Sequence, residues 1–179
     1  TVVLCTATQP ALEPLFKKNK VQDKIWEICE KSKGLFGIFK RVNILNLGEI
    51  TKEEIIGRLH KKEQILCIVN RRKLAQEFYD AIKGDGASDG RYCLTTLLCP
   101  VDRKRKFAEI KKRLSEGKAC QVISTSLLEA GVDLDFPEVF RQEAGLESLI
   151  QSAGRCNREG KRPVEESKVY SFRLSQDES

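Results

Sequence analysis

Two arginines three residues apart, Arg155 and Arg158, follow the run Leu149-Ile150-Gln151-Ser152-Ala153-Gly154. At that spacing, on the end of a helical run, they project from one face and reach an anionic group on a neighbouring surface. Arginines at a helix C-terminus also complement the helix dipole, so the pair alone leaves both readings open. Upstream lies the richest polar stretch, Ser124-Thr125-Ser126-Leu127-Leu128-Glu129-Ala130-Gly131-Val132-Asp133-Leu134-Asp135. Gly154 to Lys161 superficially suggests a phosphate-binding P-loop, but the glycine spacing is wrong and Arg162 stands where Ser or Thr belongs. That loop also follows a helix instead of a strand, so its amides are not arranged to cradle phosphates.

Metal and thiol chemistry find little support. His60 is the single histidine, and the seven cysteines (Cys5, Cys29, Cys67, Cys93, Cys99, Cys120, Cys156) include no C-x-x-C pair. This argues against a zinc site and a disulfide framework, and no metal site is expected. The thiols are expected to be reduced and to pack as small hydrophobes, as in Ile65-Leu66-Cys67-Ile68-Val69.

The elements that must position these residues follow from periodicity. Strand-like runs are expected at Arg41 to Leu47, Gln64 to Asn70, Tyr92 to Leu98, Cys120 to Thr125, Glu138 to Gln142 and Lys168 to Arg173. Helical segments alternate with them. Thr51 to His60 opens on a Thr cap before Glu53 and Glu54, and Arg72 to Lys83 carries Leu74, Phe78 and Ile82 on one face. Val101 to Glu116 sets Phe107, Ile110 and Leu114 against a basic face. The alternation calls for an α/β fold with right-handed crossovers and a mostly parallel sheet covered by helices on both faces, whose ligands sit outside the carboxyl ends of the strands.

The 179 residues, 40% hydrophobic and 32% charged, suffice for one ordinary core, and the net charge of +6 suits a nucleic-acid or nucleotide partner. No apolar run is long enough to span a membrane, so no membrane association is expected and the protein reads as cytoplasmic. The chain lacks Met and opens directly on the strand-like Val2-Val3-Leu4-Cys5, which suggests a piece of a longer protein. Residues 37–179 are expected to form the α/β domain, with residues 1–36 a remnant and connector and Gly34-Leu35-Phe36-Gly37 the joint.

Thr125 to Asp133 and Gln151 to Gly160 resemble motifs V and VI of superfamily 2 helicases. The likeness to the CRISPR-associated helicase-nuclease of type I systems is closer, because Leu98 to Arg103, Phe136 to Arg141 and Ala144 to Leu149 follow that family's pattern too. Thr6-Ala7-Thr8 resembles motif III. The resemblance implies a second RecA-like domain (37–179) preceded by the end of the first (1–36), with ATP and Mg held mainly by the missing first lobe. It further implies that Arg158 is an arginine finger, Arg155 a second phosphate ligand and Gln151 a coupling residue, while Gly131 and Asp133 approach the nucleotide. Thr125, Asn70 and Arg71 contact a nucleic-acid backbone on this reading, Arg71 standing where the family commonly has Thr, and Thr6 and Thr8 link the lobes.

The implied function is the C-terminal lobe of an ATP-dependent single-stranded DNA translocase in CRISPR interference, partnered by single-stranded DNA, a CRISPR RNA-guided surveillance complex and the first RecA-like domain in cis. Lacking Walker A, Walker B and the His-Asp nuclease cluster, the fragment alone is expected to hydrolyse no ATP and cut no DNA. The alternatives are the equivalent lobe of an RNA helicase and an inert interaction module of the same fold.

Overall fold

The computed structural model describes residues 17–18, 40–84, 89–126 and 133–175. The chain divides into two compact units, Thr1–Lys40 and Arg41–Ser179. In the first, Lys17 and Lys18 are helical, and Thr6, Thr8 and the expected joint at 34–37 lie outside the described residues. Gly131, in the second unit, also lies outside them.

The second unit runs β1 (Asn43–Ile50), α1 (Lys52–His60), β2 (Gln64–Ile68), α2 (Arg72–Lys83), β3 (Arg91–Leu94), α3 (Pro100–Ser115), β4 (Cys120–Ser124), β5 (Glu138–Gln142), α4 (Leu146–Ala153), a 3₁₀ turn (Val164–Glu166) and β6 (Lys168–Leu174). The six strands lie in the order β1-β6-β5-β2-β4-β3, and every neighbouring pair is parallel. The expected mostly parallel sheet is therefore wholly parallel.

Both faces of the sheet are buried at its central strands, which is why β2 reads as an unbroken apolar run. Ile65 and Cys67 point into a core built with Ile55 and Leu59 of α1, Leu74, Phe78 and Ile82 of α2, and Phe140 and Phe172. Leu66 and Ile68 point the other way, toward Ile110 of α3, Val122, Val139 and Val169, with Leu149 and Ala153 of α4 against them. Phe140 and Tyr170, register partners on β5 and β6, stack with ring centroids 4.6 Å apart.

Local chemistry sets the helix ends. Thr51 Oγ1 accepts the Glu54 N–H at 3.2 Å while the Glu54 carboxylate accepts the Thr51 N–H at 3.1 Å, a reciprocal cap that satisfies two otherwise orphaned donors. At the other end of α1, buried Gln121 of β4 donates from its amide to the carbonyls of Leu59 and Lys62 at 3.1 and 2.6 Å.

Two strand ends differ from expectation by three residues or more, for identifiable reasons. β1 continues past Leu47 to Ile50 because Gly48 (φ 69°) absorbs a shift in register between Asn46 and Glu49, its N–H bonded to Asn46 Oδ1 at 2.9 Å. β3 stops at Leu94 because Thr95 turns the chain, its carbonyl accepting the Leu98 N–H at 3.1 Å. Among the described residues no helix is long and apolar enough to cross a membrane.

Candidate functional site

The carboxyl ends of β2, β4 and β5 bring together Asn70, Arg71 and Thr125. The Val69 N–H bonds to Ser124 O at 2.9 Å, which sets the exits of β2 and β4 side by side. Buried Arg141 of β5 donates from one guanidinium nitrogen to Asn70 Oδ1 at 2.7 Å and to the Gln142 carbonyl at 2.9 Å. The Asn70 N–H donates to Gln142 Oε1 and its side-chain amide to the Glu143 carbonyl, both at 2.8 Å. Asn70 is thus exposed yet held in one orientation by β5. An ion pair with Arg173 holds the Glu143 carboxyl below its ordinary range.

Arg71 is the N-cap of α2 and offers no side-chain cap. Arg71, Arg72 and Lys73 place three cations at the positive end of the α2 dipole, with no acidic residue in the first turn. That arrangement is unfavourable by itself and becomes favourable when an anion, such as a backbone phosphate, sits there. Beside it, Thr125 is buried, and its Oγ1 makes no hydrogen bond among the described residues.

A second group gathers elsewhere. α4 ends at Ala153 with Gly154 as its cap, so Arg155 and Arg158 do not share a helical face, contrary to the spacing argument. The Arg155 and Cys156 N–H groups return to Ser152 and Ala153, after which Cys156 bridges Phe136 in parallel and Asn157 adopts φ 46°. This conformation turns Arg158 outward and Arg155 inward. Arg158 Nε donates to Asp133 Oδ1 at 2.8 Å, and Lys111 Nζ of α3 lies 3.5 Å from Asp133 Oδ2. Arg158, foremost, and Lys111 hold the Asp133 carboxyl below the usual carboxylate range. Arg155 is buried; desolvation foremost, then the charge of Arg158, lowers its pKa, with Asp133 acting the other way. Gln151 is half-buried in α4, four residues before Arg155.

This loop lies by the amino ends of β1, β5 and β6, since Asn157 bonds Arg41 ahead of β1, Phe136 precedes β5 and Cys156 Sγ faces the Lys168 carbonyl of β6. Of the described candidate residues, Asn70, Arg71 and Thr125 lie at the carboxyl ends of the strands, and Asp133, Arg155 and Arg158 do not. The crossover from β5 to β6 spends only eight residues as α4 and carries the arginines back across the sheet.

Sequence reasoning missed Arg41, Arg141, Asp135 and Asn157. Asp135 Oδ1 accepts the Arg158 N–H at 2.7 Å, its Oδ2 lies 3.0 Å from Arg162, and Arg41 donates to the Arg158 carbonyl. Only Asn157, a residue tolerant of positive φ shortly after a glycine stop, left a local signal.

The family described as CRISPR-associated nuclease/helicase Cas3, C-terminal, matches residues 61–161. The chain belongs to that family. A relative from Methanothermobacter thermautotrophicus (strain Delta H), a CRISPR-associated nuclease/helicase Cas3, is 30% identical over 113 residues, 62% of this chain and 13% of the relative. Among solved structures, T. fusca Cas3-ATP superposes with a TM-score of 0.60 at 18% identity, over 77% of this chain and 18% of that one. A chain of a CRISPR RNA-guided surveillance complex in a pre-nicking state superposes with a TM-score of 0.60 at 20% identity, over 77% and 19%. The chain thus spans less than a fifth of these relatives, and the likeness in structure confirms the RecA-like sheet.

Proposed function

We propose that this chain is the C-terminal RecA-like lobe of an ATP-dependent single-stranded DNA translocase acting in CRISPR interference, and that it supplies the arginine finger and part of the strand groove. The observation that carries this reading is the contact of Arg158 with Asp133, from two motifs 25 residues apart, at an exposed edge with Arg155 buried behind it. Asp133 occupies one nitrogen of a guanidinium whose side chain is still 42% exposed, so Arg158 has donors to offer the γ-phosphate when a first lobe closes on it. Positive charge there offsets the charge that develops on the transferring phosphoryl, an effect of about 10³–10⁵ in rate in other nucleotide hydrolases.

The donor set fits a nucleoside triphosphate. Arg158 and Arg155 would hold phosphate oxygens, Asp133 and Gly131 would face the ribose side, and Gln151 would couple the nucleotide to the strand. ATP supplies the phosphoanhydride whose hydrolysis drives the cycle. We assign Mg to the first lobe, as the resemblance implies. Asn70, Arg71 and Thr125 would track backbone phosphates, with Thr6 and Thr8 coupling the lobes, so binding is salt-sensitive and sequence-blind. The surveillance complex is the proposed recruiter. The chain alone is expected to turn over no ATP and cut no DNA.

The test is ATP hydrolysis by the parent protein with no nucleic acid, single-stranded DNA or single-stranded RNA. Stimulation by DNA supports the proposal. Stimulation by RNA alone favours an RNA helicase lobe, and hydrolysis under no condition favours an inert interaction module.

A further inference from the structure

The geometry points to Asn157 as the positioning residue of the arginine finger, an inference that rests on the function proposed for Arg158. Asn157 is 1% exposed and, among the described residues, the only non-glycine with positive φ. Its side-chain amide donates to the carbonyls of Arg41 at 2.9 Å and Arg162 at 2.8 Å, and its Oδ1 accepts the Arg162 N–H at 2.9 Å. Its own N–H reaches the Phe136 carbonyl at 3.0 Å, and its carbonyl accepts the Gly160 N–H at 2.9 Å. The last bond closes a four-residue turn in which Arg158 is the second residue.

Every polar group of Asn157 is therefore spent on backbone, joining the segment before β1, the segment before β5 and the end of the arginine loop. None of its bonds reaches Arg158 directly. It fixes the left-handed step that aims Arg158 outward, while Asp135 and Arg41 fasten the N–H and carbonyl of Arg158 itself. With the backbone anchored on both sides, only side-chain torsions of Arg158 remain to be set when a nucleotide arrives. Such preorganisation matters because a misplacement of about 1 Å at a reacting centre costs on the order of 10²-fold in rate.

The experiment is steady-state ATP hydrolysis by the DNA-stimulated parent protein carrying Asn157→Gly, Asn157→Asp, Arg158→Ala, and Asn157→Gly combined with Arg158→Ala. Glycine keeps the left-handed backbone and deletes the three side-chain bonds; aspartate keeps the acceptor for the Arg162 N–H and loses both donations. Asn157→Gly is expected to lower kcat on the order of 10²-fold with KM for ATP unchanged, and Asn157→Asp, whose buried carboxylate oxygen faces the Arg41 and Arg162 carbonyls, to lower it at least as much. In the Arg158→Ala background Asn157→Gly is expected to add no further loss, because both changes act on one group. An equal further loss there, or a loss in KM instead of kcat, overturns the inference in favour of a general structural role. So does unchanged kcat in Asn157→Gly while Arg158→Ala is inactive. Unchanged kcat in Arg158→Ala overturns the arginine-finger reading itself. Should Asn157→Gly fail to fold, Asn157→Asp alone and in the Arg158→Ala background decides by the same comparison.

Discussion

Replacing Arg141 by Met tests whether a buried cation, invisible to spacing arguments, holds Asn70 in place. Arg141 is 4% exposed and gives one nitrogen to Asn70 Oδ1 at 2.7 Å and to the Gln142 carbonyl at 2.9 Å. Hydrogen bonds from a charged donor each contribute about 1.5–3 kcal/mol net. Met fills much of the same volume, Asn70 is exposed enough to rehydrate, and removing a buried charge recovers desolvation energy, so the loss is expected near 2 kcal/mol. With an unfolding entropy of about 2.1 cal/mol/K per residue, that lowers the melting temperature of the Arg41–Ser179 unit by about 7 °C. The assay pairs thermal unfolding with single-stranded DNA affinity and KM for ATP: stability and DNA affinity fall together, while KM for ATP stays put. A variant as stable as the wild type, binding DNA equally well, would refute the claim that Arg141 orients Asn70.

Thr125→Val should leave the melting temperature unchanged or slightly raised, because the buried hydroxyl has no partner to lose among the described residues, yet should weaken single-stranded DNA binding measured by fluorescence anisotropy. Thiol labelling of the native protein followed by mass spectrometry should modify exposed Cys99 well before Cys67, Cys120 and Cys156. Burial pushes the Cys120 and Cys156 thiols up to about 12 and Cys67 higher, so thiolate is scarce at pH 8; early labelling of any of the three would contradict their burial.

Much of the fold is legible because its determinants are local. The Leu74, Phe78, Ile82 stripe ends at Gly84 where α2 ends, and the Thr51 cap opens α1 one residue after it. Asp133 and Arg158 are legible singly as candidates, and their contact with each other is the structure's addition. What escapes is whatever depends on distant partners. Arg141 meets Asn70 across 71 residues and Arg41 meets Arg158 across 117, separations at which no periodicity carries information. The orientation of the arginine pair escapes for a different reason: α4 is short, and the turn through Asn157, a left-handed residue, replaces an expected shared helical face with one buried and one exposed side chain. The division of the candidate residues between two ends of the sheet follows from the same return of the chain.

The central claim is that Arg158 acts on the phosphoryl being transferred. Single-turnover hydrolysis and equilibrium binding of ATP by the DNA-bound parent protein, wild type against Arg158→Ala, test it most directly. The account predicts a hydrolysis rate lower by about 10³–10⁵-fold with ATP affinity little changed. Hydrolysis at the wild-type rate, or a defect confined to ATP affinity, would contradict it.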